Sequence, residues 1–242
     1  RARLIATITK KPAIKDEQAD FFIPATNITP KDHRLFMDVA LFRMSKQQSR
    51  AGETILYETS DGYVEVTAGP DGMASVWDYD IVLMFISHLT EAMNLYKSGR
   101  GAMPSRFFTP HVSDILQFCQ RGDGGNQAKT IESALARLKG TTINSVRQFR
   151  SRTNKSITYE VKSESLISGY LVTSKTVSGR ADRVEIEAPN WIYNGIIDSK
   201  GSAVLTINQD YFLIHSAIGR FIYRLARRTA GNDIAKWGFK TI

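Results

Sequence analysis

At Gly140 the spacing of apolar residues changes from helical to extended. Before it, Ile131, Ala134, Leu135 and Leu138 recur at i, i+3, i+4 and i+7, which is the buried face of a helix over Asn126–Lys139. Gly140 reads as the C-cap residue that stops this helix. After it, Thr141–Phe149 reads as a strand. A chain that makes this switch beside further helical segments has to combine packed helices with a sheet, so the fold class is α+β.

Two more helices precede the switch. Over residues 78–97 Ile81, Phe85, Leu89, Ala92 and Tyr96 recur at helical spacing, Asp78 or Asp80 suits the N-cap, and Ser98 and Gly99 stop the helix. Over Pro110–Gln120, Val112, Ile115, Leu116 and Cys119 form an apolar face, and Pro110 fits a first turn where its missing N–H costs nothing. Arg106–Thr109 between them reads as a short strand, and Arg121–Gly125 (RGDGG) as a turn. Helix, short strand, helix, glycine turn, helix and β-hairpin is the order of a winged helix-turn-helix with an extended β-wing.

Elsewhere the reading is coarser. Residues 1–34 are weakly periodic and are expected to form an arm, and Leu35–Met44 a short strand or helical turn. Thr54–Tyr57 and Tyr63–Thr67 flank an Asp-Gly turn and read as a hairpin. Leu166–Thr176 and Val184–Glu187 read as strands joined by polar loops, Pro189–Ile197 as a short helix and Ala203–Ile207 as a strand. Ile218, Ile222, Leu225 and Ala226 mark the apolar face of a helix ending near Gly231, and Trp237–Ile242 begins another element.

Charge is unevenly spread. The formal net charge is +8, and residues 121–162 hold nine Lys or Arg against the three acids Asp123, Glu132 and Glu160. Residues 220–242 hold six Lys or Arg against Asp233 alone. Two local basic regions fit a polyanionic partner better than an evenly basic surface does. A helix of this kind fits the major groove of duplex DNA. Its exposed face offers Asn126, Gln127, Lys129, Thr130, Ser133 and Arg137, of which Asn and Gln can read adenine and Arg guanine. The wing offers Arg147, Arg150, Arg152 and Lys155 for phosphates. Arg137→Ala is expected to alter base preference and Arg150→Ala to lower affinity on every sequence.

The motifs of catalysis are missing. The segment Gly122–Thr130 puts Ala128 and Asp123 where a phosphate-binding loop needs glycine. His33, His88, His111 and His215 have no metal-ligand spacing, and no serine sits in a nucleophile elbow. Cys119, the single cysteine, lies on an apolar helix face and reads as core, as do Trp77, Trp191 and Trp237. Neither cofactor nor metal is expected, and the chain is read as a non-enzyme. Its longest apolar run, Ile81–Ile86, is far too short to span a bilayer, no signal peptide is visible, and one thiol fits a reducing, cytoplasmic setting. The first residue is Arg1 rather than Met, so a preceding piece is expected.

Six segments resemble the replication initiator protein A family of theta-replicating plasmids. They are ASVWDYDIVL (Ala74–Leu83), ALARLKGTTI (Ala134–Ile143), NWIY (Asn190–Tyr193), LTI (Leu205–Ile207), the pair Tyr211 and Phe212, and RFIYRLARR (Arg220–Arg228). The resemblance implies a bacterial tandem winged-helix initiator that binds double-stranded origin DNA, often at direct repeats. It also implies that such a protein recruits host replication proteins and exists as a homodimer or in a monomer–dimer equilibrium. By position, Thr130–Leu138 would be the recognition helix of a first winged domain over 35–207. The Arg220–Arg228 helix would open a second over 208–242, with Arg224, Arg227 and Arg228 on a DNA-facing or partner-facing side. That second domain would continue past Ile242. The alternatives are a transcriptional repressor or a dimerisation module of winged-helix type. A rolling-circle nicking initiator is disfavoured, because nine tyrosines are present without the paired metal-binding histidines it needs.

Overall fold

The computed structural model describes residues 28–236 apart from 38, 46–49, 60–61, 123–125, 151–156, 176, 178–180, 199–202, 232 and 235. Among the described residues are five α-helices and three antiparallel sheets. In chain order the elements are β1 (Lys31–His33), β2 (Thr54–Thr59), β3 (Gly62–Thr67), α1 (Tyr79–Lys97), β4 (Phe107–Phe108), α2 (Val112–Phe118) and α3 (Gln127–Gly140). Then come β5 (Thr142–Arg150), β6 (Ile157–Ser165), β7 (Gly169–Lys175), β8 (Ala181–Glu187), α4 (Asn190–Ile197) and β9 (Val204–Thr206). A 3-10 turn (Gln209–Leu213) leads into α5 (Ala217–Thr229). The sheets have the orders β1–β9, β2–β3–β5–β6 and β4–β8–β7.

The centre of the molecule is α1. Every residue from Tyr79 to Thr90 is buried, so its first three turns are enclosed on all sides. The one-sided stripe expected from the sequence is therefore only part of its contact surface, and Tyr96, in its last turn, is exposed. Val112, Ile115, Leu116 and Cys119 of α2 and its C-terminal end, and Ile131, Ala134, Leu135 and Leu138 of α3, share one hydrophobic core with α1. These are the two faces that periodicity picked out. His111 stands at the N-cap of α2, and its backbone N–H donates to the Asp114 carboxylate at 3.1 Å.

The junction between α3 and β5 differs from its sequence reading. Gly140 is the last helical residue and Thr141 the C-cap. Two backbones cross closely here, and the residue that must be glycine is Gly69: a Cβ on it would stand 2.9 Å from the Gly140 carbonyl oxygen, whereas a Cβ on Gly140 would come no nearer than 3.5 Å to Gly69. The Thr141 hydroxyl locks the junction, accepting from the Ala74 N–H and donating to the Arg137 carbonyl, both at 2.8 Å.

Two further expectations are corrected. Residues 157–165, read as part of a polar loop, form β6, paired with β5 from Thr142↔Ser165 to Arg150↔Ile157. The apolar residues Tyr159 and Val161 point to solvent at 62% and 63% exposure, so this strand is held by its ladder and not by a core face. Conversely Leu166 and Ile167, read as the start of a strand, are buried in the bend between β6 and β7. In α5 the expected face is kept only at Leu225, which is buried. Ile218 and Ile222 are 57% and 41% exposed, while Arg220 and Arg224 are buried with Ala217, Phe221 and Leu225. Trp237–Ile242 lies outside the described residues.

His88 of α1 is buried beside the Phe108 and Phe118 rings, 4.7 and 6.5 Å between centroids, and neither of its ring nitrogens has a hydrogen-bond partner. Burial, with a smaller contribution from Lys31, pushes its pKa down to about 4. The folded chain thus keeps His88 neutral where the unfolded chain would protonate it. The stability this carries is complete above the unfolded value near 6.5 and falls as pH drops from there towards 4. His88→Leu should flatten the unfolding midpoint between pH 6.5 and 4 relative to the parent chain, with a difference of about 2–3 kcal/mol at the acid end. Equal slopes in the two pH series of urea melts would show that His88 takes no part.

Candidate nucleic-acid interface

Three buried aspartates receive arginines from α3, from the turn before it and from α5. Asp78 and Asp80 sit at the N-terminal end of α1, and Asp32 lies in β1 against the ring of Tyr79. Helix N-termini favour negative charge. Neither Asp78 nor Asp80 caps α1 with its side chain; each instead receives arginine.

Arg137 of α3 donates to both oxygens of Asp78, at 2.8 Å each, and Asp78 also accepts from the Ser75 N–H at 2.8 Å. These bonds hold the Arg137 guanidinium above its ordinary pKa despite partial burial. Asp80 accepts from Arg220 of α5 at 2.8 Å and from Arg121, in the turn before α3, at 2.9 Å. Arg121 also reaches the Trp77 carbonyl. Burial pushes the Asp80 carboxyl up against the pull of these two arginines. Arg224 of α5 donates to Asp32 at 2.5 Å, while the other oxygen of Asp32 accepts from Tyr79 Oη at 3.0 Å and the His33 N–H at 2.8 Å. Burial opposes charge on Arg224, and Asp32, together with Tyr79 and Tyr211, more than offsets it. Arg224 also stacks over the Tyr79 and Phe42 rings.

This network leaves one face of α3 free. Asn126, Lys129, Thr130 and Ser133 are exposed, Gln127 is half-buried, and all six outward positions read from the sequence belong to one helix and its N-cap. Arg137 departs from that set. Its side chain is only 19% exposed and its fork is occupied by Asp78, so it is a pin for α3 and not an open donor. On the ribbon, Arg147 is exposed and stands opposite Glu160. Arg150 ends β5, and its side chain, with Arg152 and Lys155, lies outside the described residues.

Sequence reasoning missed the anchoring role of Arg121, Arg220 and Arg224. The second basic region accordingly shows less charge to solvent than its count suggests, since two of its arginines face carboxylates inside the molecule. The only local trace of this was the i, i+4 spacing of Arg220 and Arg224, which puts both on one side of a helix. Among the described residues no group of three or more His, Cys, Asp or Glu could hold a metal ion, and no helix is long and apolar enough to cross a membrane.

The fold and this face define an α+β module of three packed helices and a β-ribbon with an outward polar and basic helix. The chain belongs to the replication initiator protein A family, whose family model matches residues 31–241. A chain of Wigglesworthia glossinidia brevipalpis, provisionally named a replication protein, is 29% identical over 178 residues, which are 74% of this chain and 61% of that one. This chain thus spans about three-fifths of the length of that relative. The crystal structure of RctB domains 2–3 superposes with a TM-score of 0.56 at 10% identity, covering 80% of this chain and 69% of that one. A second structure of domains 2 and 3 of RctB gives 0.52, also at 10% identity, over 79% and 70%. At that identity the likeness is one of fold.

Proposed function

We propose that this chain is a winged-helix DNA-binding module of a replication initiator and that it engages double-stranded origin DNA through α3. The observation that carries this reading is the division of α3. Ile131, Ala134, Leu135 and Leu138 are fully buried, Asn126, Lys129, Thr130 and Ser133 face outward, and a long antiparallel ribbon follows at once. In this reading α3 lies in the major groove and the β5–β6 ribbon is the wing. Arg147, with Arg150, Arg152 and Lys155, meets the flanking phosphates. Residues 35–207 form the first winged unit and 208–242 lead into a second, with α5 seated against α1 as the joint between them.

The test is binding to duplex DNA across a salt series, first on random sequence and then on sites selected from a random pool. Log affinity should fall with log salt, and Lys129→Ala or Arg147→Ala should each make the slope shallower by about 0.9. Asn126→Ala should instead relax preference at one base pair, by about 1–3 kcal/mol. No binding at low salt, or slopes unchanged in both cation variants, would overturn the placement of the interface on α3 and the ribbon.

A further inference from the structure

A pocket of about 640 Å³ opens where the β1–β9 pair meets the last turns of α5. Ligand pockets run to about 300–1,000 Å³, so this one has room for a small molecule and far more than a single inorganic anion needs. Tyr223 and Arg227, one helical turn apart on α5, form one wall. Thr29, Thr206, Asn208 and Gln209 supply hydroxyl and amide groups, and the buried Ile207 supplies apolar surface. No described residue that lines the pocket is acidic, and Arg227 is the one that carries charge.

The groups that could recognise a ligand are already held. Arg227 Nε donates to the Thr206 carbonyl at 2.8 Å, which fixes the guanidinium and leaves both Nη groups without a hydrogen-bond partner among the described residues. The Tyr223 hydroxyl accepts from the Asn208 N–H at 2.7 Å, so the ring stays in the wall. Asn208 Oδ1 accepts from the Asp210 N–H at 2.9 Å, which leaves the Asn208 amide nitrogen to donate elsewhere. Groups fixed in advance lose little freedom when a ligand arrives. The surroundings are positive too. Arg228 follows Arg227, and burial and then Arg34 hold its guanidinium below its ordinary pKa. A helix C-terminus favours cations in any case. That accounts for two arginines in the last turn of α5, but not for one of them walling a pocket that has no acid. We infer that this pocket binds a free nucleoside monophosphate, with the phosphate on Arg227, the base against the Tyr223 ring, and the side-chain amides of Asn208 and Gln209 at the edge of the base. None of these residues belongs to α3 or to the β5–β6 ribbon, so the pocket and the DNA reading proposed above can fail separately.

The experiment is isothermal titration calorimetry of the 242-residue chain with AMP, GMP, CMP and UMP. At least one should bind one to one, with a Kd between about 10 µM and 1 mM. Arg227→Met removes the charge and keeps the stem, and it should weaken binding about tenfold or more. Gln209→Glu places a negative charge at an exposed position in the lining and should weaken binding about three- to tenfold. Circular dichroism and the unfolding midpoint should be unmoved in Gln209→Glu, so this variant stays informative even where Arg227→Met loosens α5. Inorganic phosphate lacks the base and the matching nucleoside lacks the phosphate; each should bind at least about tenfold more weakly than the nucleotide. No heat from any of these nucleotides at millimolar concentration would overturn the inference. So would an affinity that both variants leave unchanged, or phosphate or nucleoside binding as tightly as the nucleotide. A single-stranded oligonucleotide that binds more tightly than the nucleotide, and loses that affinity in Arg227→Met, would give the pocket to a DNA strand and overturn its assignment to a free nucleotide.

Discussion

Replacing Arg224 with methionine should cost about 3–5 kcal/mol of stability, a fall of roughly 6–20 °C in Tm for a chain of this size. The reason is the charge left behind. Asp32 and Arg224 are both fully buried and meet at 2.5 Å. Without the guanidinium, the Asp32 carboxylate is left, among the described residues, with the Tyr79 hydroxyl and the His33 N–H, both on its other oxygen. An unpaired ion in such a place is far more costly than an absent pair. Adding Asp32→Asn to Arg224→Met should therefore recover much of the loss, because the amide oxygen can keep both of those bonds. Urea and thermal melts of the two singles and the double give the coupling energy directly. A double variant as unstable as Arg224→Met alone would mean that Arg224 acts through its stacking on Phe42 and Tyr79, not through Asp32.

Arg137→Ala should lower stability by about 2–3 kcal/mol and weaken DNA binding evenly across sequences. The bidentate bond to Asp78 is the direct tie between α3 and the start of α1, and its loss leaves a buried carboxylate with the Ser75 N–H. A reader of guanine would behave otherwise. Its loss would relax preference at one base pair and leave stability nearly unchanged. Selection from a random duplex pool, run beside a urea melt, separates the two. The structure replaces the expectation of altered base preference with that of a loosened α3, and a relaxed site with an unmoved melting curve would restore the earlier one.

The same contrast explains how much was legible beforehand. The inner faces of α2 and α3 were readable because periodicity is local: a face needs only the next three or four residues to declare itself. The same holds for the β2–β3 hairpin and the switch from helix to strand at Gly140. β6 was not readable, because its apolar residues face solvent and its pairing is decided by β5. The stripe on α5 misled for a related reason. Hydrophobicity predicts which side is buried only when nothing inside needs a cation, and here two buried carboxylates do.

The resemblance segments fit this picture. WDYD holds Asp78 and Asp80, ALARLKG holds Arg137, and RFIYRLARR holds Arg220 and Arg224. The segments that carry the resemblance thus also hold several of the residues that lock α1, α3 and α5 together. By itself, then, the sequence determined the fold class, the helical faces of the α2–α3 unit, the candidate outward residues and the family. The tertiary structure alone decided which arginines are free. Arg137 meets Asp78 across 59 residues, Arg220 meets Asp80 across 140 and Arg224 meets Asp32 across 192. Partners so far apart leave no periodic trace in the chain, and a guanidinium has the same formal charge in solvent as it has against a buried carboxylate. Only packing, by removing water from both groups, determines which of the two it becomes.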